Sequence, residues 1–383
     1  MLRRVARLAR GVAVTALLCA SVLFALALAE LGLRVARPDA ASRIEYPCFY
    51  LPDARTGFRY APNGRGHVSG HFEIDNEVAL NSLGFYDDEP ADAAHVGLRV
   101  LAVGDSFTAA LNVPRDQVWT AVLERELRAR GYADADVVNL GLDGTGTDVQ
   151  LELLREYVPR LRPQVVLLAF FANDIEDVQN GRFTRECYRD TVLSYQTPVQ
   201  RDALRARVDA HAQRRVLRAL ADHSLLARLA LTAWEGPRTL FRLNFLQPSR
   251  AELGITPELL RERAPRGRES FEALARFAER CECGLVVVPV PARRELEASL
   301  ALARGVSVGL PLQIVDVLPG IRAALARDGC EPSDLFFRYD AHLNDYGNRL
   351  FAEAVADAID WRPRGAAAVP VASSGAPPPP SAR

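Results

Sequence analysis

Short strand-like runs separated by helical stretches constrain the fold of this chain more than any other feature of its sequence. The run Val165–Phe171 is apolar throughout, which is typical of a parallel strand covered on both faces. Four further runs occur at Val100–Val103, Val137–Gly141, Gly284–Val290 and Leu335–Arg338. Because helices separate the strands, the pattern predicts an α/β domain with a parallel sheet and right-handed crossovers.

Helical patterns occupy most of the intervals between these runs. Predicted helices span Gln117–Arg130, Val149–Leu161, Ser270–Glu279 and Tyr346–Ile359. A long stretch of about residues 178–280, between the third and fourth predicted strands, departs from this rhythm. We expect it to be a helical insertion that acts as a lid or substrate platform above the sheet.

Composition divides the chain into four parts. Residues 1–37 are predicted to contain cytoplasmic arginines and a transmembrane or signal-anchor segment. Residues 38–96 are rich in turn formers and aromatic residues, which predicts a β-rich lead-in packed on the main domain. Residues 97–361 are predicted to form the α/β domain with its insertion. Residues 362–383 are rich in Pro and Ala, which predicts a disordered tail.

An apolar N-terminal segment follows a cluster of arginines. Gly11–Ala29 contains no charged residue and is close to the roughly 20 residues that cross a bilayer. The preceding arginines place its start in the cytoplasm. We therefore expect a single-pass helix in the cytoplasmic membrane, with the α/β domain outside the cytoplasm. The alternative is a signal peptide cleaved after Ala27-Leu-Ala29, which would release a secreted protein.

Charge and residue usage exclude several functions. The chain has 47 Lys+Arg and 48 Asp+Glu, a net charge of −1, so no overall basic field favours nucleic acid as a partner. All 47 cations are arginine, because the sequence contains no lysine. Schiff-base chemistry, a Ser–Lys dyad and a Walker-type phosphate lysine are therefore impossible.

Cysteine usage is less decisive. Cys19 lies in the apolar segment, and five cysteines remain, at positions 48, 187, 281, 283 and 330. The odd number leaves at least one thiol free or paired between chains in an oxidising compartment, and we expect one or two disulfides. Cys281 and Cys283 lack the C-x-x-C spacing of zinc or redox sites, and the sequence predicts no metal and no cofactor.

Polar residues follow four of the predicted strands at the point where each strand ends. Ser106 follows the first strand, and the segment 139–145, which contains Gly144, ends and follows the second. Asn173 follows the third strand, and the segment 340–344 follows the last. Because all strands of a parallel sheet end on one side, these four loops are expected to converge.

These loops contain the groups that acyl transfer requires. Ser106 would attack a carbonyl while His342 takes its proton and Asp340 orients the imidazole. The backbone N–H groups of Ser106 and Gly144 and the carboxamide of Asn173 would stabilise the oxyanion. Taken one at a time, these residues have structural interpretations: Ser106 and Asn173 as helix caps, Gly144 as a turn glycine, and His342 as a surface histidine.

Taken together, the motifs resemble those of the SGNH/GDSL hydrolase superfamily. The resemblance is carried by Gly104-Asp-Ser-Phe-Thr, Asn139…Gly144, Ala172-Asn-Asp and Asp340-x-His, in the family's order. It implies a three-layer α/β/α flavodoxin-like fold and esterase, lipase or carbohydrate acyl-ester activity without a metal. It also implies that Ser106 is the nucleophile, that Gly144 and Asn173 are oxyanion donors, and that His342 is the base. The N-terminal anchor and the lead-in are similar to those of bacterial members that face the periplasm.

The sequence departs from the family pattern beside the histidine. The family usually places its aspartate three residues before the histidine, where this chain has Tyr339. Asp340 is only two residues before His342, so the loop needs a different turn if Asp340 is to reach the imidazole. Otherwise His342 would contact a backbone carbonyl instead.

The expected function is that of a serine esterase that removes acyl groups, O-acetyl above all, from a cell-envelope carbohydrate. An acylated carbohydrate or small ester would be the substrate, and the N-terminal helix would contact the inner membrane. One alternative is a carbohydrate O-acyltransferase that uses the same acyl-serine. Another is a non-hydrolytic polysaccharide-binding or assembly component, although the presence of both Ser106 and His342 favours catalysis.

Overall fold

The computed structural model describes residues 2–36, 47–70, 73–189, 191–212, 223–227, 257–281, 283–338 and 340–361. The predicted tail, 362–383, and much of the predicted insertion lie outside the described residues. The chain divides into two compact units. The first comprises Met1–Arg43 and Ala206–Pro248, and the second comprises Ile44–Arg205 and Ser249–Arg383.

The first unit is built on one long helix, α1 (Leu2–Ala36). Among the residues that the structure describes, Gly11–Ala36 is the helical segment that is long and apolar enough to cross a membrane. Near the end of α1, the Glu30 carboxylate accepts hydrogen bonds from the backbone N–H groups of Leu225 (2.9 Å) and Leu226 (3.0 Å). An apolar N-terminal helix of this kind is either a signal sequence or an anchor.

The second unit contains a five-stranded parallel sheet, which confirms the predicted fold class. Its strands are β5 (Leu98–Gly104), β6 (Ala135–Gly141), β7 (Val165–Phe170), β10 (Gly284–Pro289) and β11 (Gln313–Ile314). They lie in the order β11-β10-β7-β5-β6, which is the flavodoxin-like order. All residues of β5, β6 and β7 are buried, as the apolar runs predict.

Helices cover both faces of this sheet, because β6 and β7 lie on opposite sides of β5 and right-handed crossovers then place their helices on opposite faces. One layer contains α3 (Trp119–Ala129), α9 (Leu318–Asp328) and α10 (Asp345–Ala358). The other layer contains α4 (Thr147–Leu161), α5 (Asp174–Asn180) and α7 (Pro257–Arg280). Two further helices are α2 (Ser106–Ala109) and α8 (Ala298–Val306).

The structure corrects the prediction of the fifth strand. Leu335–Arg338 was expected to be that strand, but it contributes only an isolated bridge between Phe336 and Leu343, after a 3-10 turn at Pro332–Leu335. The edge strand is instead β11, whose two residues pair with Val286 and Val287 of β10. A two-residue strand carries no periodicity, so the sequence pattern gives no signal for it.

The insertion also begins differently from its helical prediction. It starts with an antiparallel hairpin of β8 (Thr184–Tyr188) and β9 (Thr191–Tyr195), and only then forms α6 (Pro198–Ala212). Near its end, the helix predicted at Ser270–Glu279 is longer, because α7 already begins at Pro257.

The lead-in consists of two antiparallel hairpins. They are formed by β1 (Tyr50–Asp53) with β2 (Gly57–Tyr60), and by β3 (Arg65–Gly70) with β4 (Ile74–Ala79). A disulfide joins Cys48, just before β1, to Cys187 in β8. A second disulfide joins Cys281 to Cys283, and Cys19 and Cys330 are free thiols. The lead-in hairpin and the insertion hairpin are therefore covalently linked.

A buried ion pair fixes the amino-terminal side of the sheet. The Arg99 guanidinium in β5 is 4% exposed, and its Nε lies 2.7 Å from Oδ2 of Asp136 in the neighbouring β6. The same guanidinium donates to the backbone carbonyls of Leu161 (3.0 Å) and Ala91. The pair thus ties the sheet to the end of α4 and to the segment that precedes β5.

Replacing Arg99 with alanine should destabilise the fold, because the Asp136 carboxylate then stays buried without its cation. We expect the free energy of unfolding to fall by about 3–5 kcal/mol, measured by urea denaturation of the full-length chain in detergent. The control is Arg155→Ala: Arg155 is exposed, and its ion pair with the partly buried Glu152 should contribute less than about 1 kcal/mol. Equal losses in the two variants would contradict this account.

Candidate active site

The site lies at the carboxyl ends of three adjacent strands. Gly104 at the end of β5 is level with Gly141 of β6 on one side and Ala169 of β7 on the other. The loops that follow these strands therefore start side by side. The reversal of strand order at β5 and β7 is the position where open α/β sheets bind their ligands.

Ser106 lies at the start of the short helix α2, directly after β5. The capping residue of this helix is Asp105, whose side chain accepts a hydrogen bond from the Phe107 backbone N–H at 3.0 Å. The Ser106 hydroxyl instead contacts a histidine ring. The helix-cap interpretation thus belongs to Asp105, and Ser106 is left to interact with His342.

His342 connects the serine to a carboxylate. Its Nε2 lies 2.7 Å from Oγ of Ser106, and its Nδ1 contacts Oδ1 of Asp340. The same Asp340 oxygen accepts the backbone N–H of His342 at 2.7 Å, which forms an Asx turn. This turn is how a spacing of two residues brings the carboxylate to the imidazole.

The surroundings of His342 favour its charged form. Burial by itself lowers the pKa of His342, but the Asp340 carboxylate raises it, with smaller contributions from Asp105 and Asp143, and the net pKa is above the ordinary 6.5. The ring also packs against Phe107, with centroids 4.7 Å apart. The site can therefore stabilise an imidazolium, which is the species formed when a histidine accepts a proton from serine.

Asp105, next to Ser106 in the chain, and Asp174 carry buried carboxyl groups. Burial raises the pKa of Asp105, although the Phe107 N–H and the charge of His342 oppose this. Burial together with the charge of Asp105 holds the pKa of Asp174 well above its usual range. Gln150 donates to Asp174 at 3.0 Å.

Gly144 and Asn173 lie on the loops that follow the two strands flanking β5. Gly144 has φ +62°, a backbone conformation that favours glycine. Asn173 occupies the N-cap position of α5, but its side chain makes no capping hydrogen bond to the residues that the structure describes. Its carboxamide interacts with Asp105 instead.

Asn139 lies inside the sheet, and its side chain hydrogen-bonds to backbone groups of the fold. It is fully buried in β6, and its Nδ2 donates to the carbonyl of Thr108 in α2 at 2.8 Å. Its Oδ1 accepts the backbone N–H of Gly141 at 2.8 Å. Asn139 therefore connects the end of β6 to the helix that carries Ser106.

A cluster that the sequence analysis missed holds the loop before Gly144. The Asp143 carboxylate contacts the hydroxyls of Tyr50 and Tyr60 and lies 2.5 Å from Nη1 of Arg185. We call these four residues the Asp143 cluster. Burial and the charge of Asp143 raise the pKa of Tyr60 well above its usual range, so the hydroxyl stays protonated and donates.

Arg185 brings the insertion into this part of the site. Its guanidinium donates to the Asp143 carbonyl at 3.1 Å and lies over the Phe58 ring, 4.5 Å from its centroid. It also packs against Gly144 so closely that a Cβ there would collide with it. In the sequence, only the position of Asp143 beside Gly144 in the motif indicated a role near the site. Its partners are distant in the chain, so no local pattern connects them with it.

Within the ranges that the structure describes, His, Cys, Asp and Glu side chains form no group of three or more that is arranged to hold a metal ion.

The fold and the site together define a class of protein. A flavodoxin-like α/β fold with a hydrogen-bonded Ser, His and Asp at the carboxyl edge of its sheet has the arrangement of hydrolases that use a serine nucleophile. Residues 102–350 match the model of the GDSL-like Lipase/Acylhydrolase family, which is almost two thirds of the chain. The chain therefore belongs to that family, as its motifs predict.

Individual relatives are more distant. Esterase TesA of Pseudomonas aeruginosa is 35% identical over 75 residues, which are 20% of this chain and 37% of TesA. The match thus spans little more than a third of that relative. The acetylxylan esterase Axe2 of Geobacillus stearothermophilus is 15% identical, with a TM-score of 0.37 over 70% of this chain and 96% of Axe2. A lipase/acylhydrolase from Enterococcus faecalis is 14% identical, with a TM-score of 0.35 over 68% of this chain and 93% of that one.

Asp340→Asn should lower the pKa of His342, because it removes the main group that raises that pKa. NMR titration of the imidazole signals of the full-length protein in detergent measures this, and the chain has only six histidines to resolve. We expect a pKa above about 6.5 in the unmodified protein and a lower one in the variant. An unchanged pKa would show that Asp340 does not act on the ring.

Proposed function

We propose that this chain is a serine esterase that hydrolyses acyl esters through an acyl-serine intermediate. The observation that carries the proposal is the 2.7 Å contact between Oγ of Ser106 and Nε2 of His342, with Asp340 on the other ring nitrogen. A serine hydroxyl is a weak nucleophile by itself and requires a base placed in this way.

In the proposed mechanism, Ser106 Oγ attacks the ester carbonyl while its proton moves to Nε2 of His342. Asp340 holds the ring and stabilises the imidazolium. When the tetrahedral intermediate collapses, the C–O bond to the alcohol breaks and His342 returns the proton to the leaving oxygen. Water then attacks the acyl-serine, with His342 again as the base, and releases the carboxylic acid and free Ser106.

The tetrahedral oxyanion requires preorganised donors. We assign this role to the backbone N–H groups of Ser106 and Gly144 and to the Asn173 carboxamide. Support comes from their positions on the loops that follow β5, β6 and β7, three adjacent strands whose carboxyl ends are in register. The Asp143 cluster restrains the loop that contains Gly144, so the donor there is held in place before substrate binds.

We further propose that the substrate is an O-acyl ester, O-acetyl in particular, of a cell-envelope carbohydrate. The support is the N-terminal apolar helix, Gly11–Ala36, which would hold the protein at the cytoplasmic membrane. The arginines before it favour a cytoplasmic N-terminus and a periplasmic catalytic domain.

Ser106→Ala should abolish both turnover of p-nitrophenyl acetate and covalent labelling by a fluorophosphonate. Without the oxygen nucleophile no acyl-enzyme forms, so we expect kcat to fall about 10⁴-fold or more. The matched control is Ser333→Ala, an exposed serine that should leave both signals unchanged. Equal activity in Ser106→Ala and in the control would refute the assignment.

The same pair of assays separates the alternatives. Labelling of Ser106 without hydrolysis of the small ester would favour acyl transfer to a sugar hydroxyl. Absence of both signals in the unmodified protein would favour a polysaccharide-binding role.

The membrane anchor is tested by extraction. We expect the full-length chain to remain in the membrane pellet after alkaline carbonate treatment and to keep residues 1–29 by mass. Replacing Leu18 and Leu23 by arginine should release it, since each charge at the centre of a spanning helix costs about 2.5–3.5 kcal/mol. The control is Val199→Arg, a highly exposed apolar position in α6. A soluble chain that begins after Ala29 would instead show a cleaved signal peptide.

A further inference from the structure

The loop that carries Asp340 and His342 is held by two charged side chains from distant parts of the chain. Glu73, at the turn between β3 and β4, accepts the backbone N–H of Arg338 at 2.8 Å and that of Asp340 at 3.2 Å. Arg293, just after β10, donates to the carbonyls of Arg338 at 2.7 Å and Asp340 at 3.4 Å.

The two side chains match the polarity of the loop backbone. A carboxylate binds two N–H groups, and a guanidinium binds the two carbonyls of the same residues. Hydrogen bonds that involve a charged group are shorter and about twice as strong as neutral ones. Glu73 and Arg293 therefore fix the backbone conformation of residues 338 and 340 from two directions.

We propose that Glu73 and Arg293 are positioning residues that hold the Asp340–His342 turn in its active geometry. The proposal deepens the proposed function, on which its catalytic part rests. It places the lead-in within the catalytic apparatus, although the lead-in lies outside the residues that carry the sequence motifs.

We call Glu73 and Arg293 the clamp. The spacing of only two residues between Asp340 and His342 explains why this clamp is needed. A single oxygen of Asp340 accepts both the backbone N–H and the ring nitrogen of His342, so the carboxylate reaches the ring only while the Asx turn is formed. An Asx turn is a local arrangement of a few hydrogen bonds and is in competition with other loop conformations. Fixing the backbone at Asp340 makes the turn the preferred state.

The His342 imidazole reports on this clamp directly. The charged groups that act on it are Asp340 in its own loop, Asp105 at the start of α2, and Asp143 after β6. Of these, Asp340 makes the largest contribution and is the one that the clamp would hold. Releasing the clamp should therefore lower the pKa of His342.

The decisive test compares Glu73→Gln with Arg293→Gln in the full-length protein, with the pKa of His342 measured by NMR. The two variants remove charges of opposite sign, so a direct electrostatic effect would shift the pKa in opposite directions. Release of the turn would lower it in both. We expect both variants to have a lower pKa for His342 than the unmodified protein.

Matched controls exist on the same elements. Glu77→Gln removes an exposed carboxylate from the same hairpin, and Arg294→Gln removes an exposed arginine next to Arg293. Neither side chain belongs to the proposed catalytic or clamping set, and both controls should leave the pKa of His342 unchanged.

Kinetics supply a second readout. Glu73→Gln and Arg293→Gln should lower kcat by about 10- to 100-fold, which corresponds to the loss of one or two charge-assisted hydrogen bonds. KM should change little, because neither residue is assigned to the substrate. The acid limb of the kcat/KM profile should move to lower pH together with the pKa of His342.

Opposite pKa shifts in the two variants, or shifts no larger than those of the controls, would overturn the proposal. A loss of thermal stability with an unchanged pKa, or failure of both variants to fold, would overturn it in favour of a purely structural role. The NMR titration requires no turnover. It therefore tests whether Glu73 and Arg293 hold the Asp340–His342 turn even if Ser106 forms no acyl-enzyme. A failure of the proposed function is thereby distinguishable from a failure of the clamp.

Discussion

The close packing of α2 on the ends of β5 and β6 is the constraint on which the site depends. Gly104 and Gly141 end these strands, and a Cβ at either position would collide with residues of α2. The two glycines let the chain turn at once from strand to helix. Ser106 therefore lies at the sheet edge, level with the loops that contain Gly144 and Asn173. The Asn139 carboxamide then fixes α2 to β6 by hydrogen bonding to Thr108.

The sheet by itself supplies only part of the site. The loop before Gly144 is held by tyrosines from the lead-in and by Arg185 from the insertion, which meet at the Asp143 carboxylate. The disulfide between Cys48 and Cys187 joins these two segments close to that meeting point. The lead-in and the insertion hairpin are thus structural parts of the site and not appendages of the α/β domain.

Acidic groups dominate the electrostatics around His342. Asp340, Asp105 and Asp143 all raise its pKa against the effect of burial, so the ring is prepared to accept a proton. Burial raises the pKa of Asp105 itself, although the Phe107 N–H and the charge of His342 oppose this. The two carboxylates therefore have different roles. Asp340 is hydrogen-bonded to the imidazole, whereas Asp105 caps the helix that contains Ser106.

The sequence by itself determined the β/α alternation, the four long strands of the sheet and the loops at their carboxyl ends, because burial and periodicity are local properties of the chain. It also indicated Ser106, Gly144 and Asn173 as residues of one sheet edge, because parallel strands all end on one side. Asp340 and His342 were indicated by their motif instead, since the segment before them, Leu335–Arg338, is not a strand of the sheet. The edge strand β11 was not predictable, since two residues paired to Val286 and Val287 carry no pattern of their own. Only the tertiary structure decided how Asp340 reaches His342 and what holds that turn. Glu73 and Asp340 are 267 positions apart, and hydrogen bonds between a side chain and a distant backbone leave no periodic trace in the sequence.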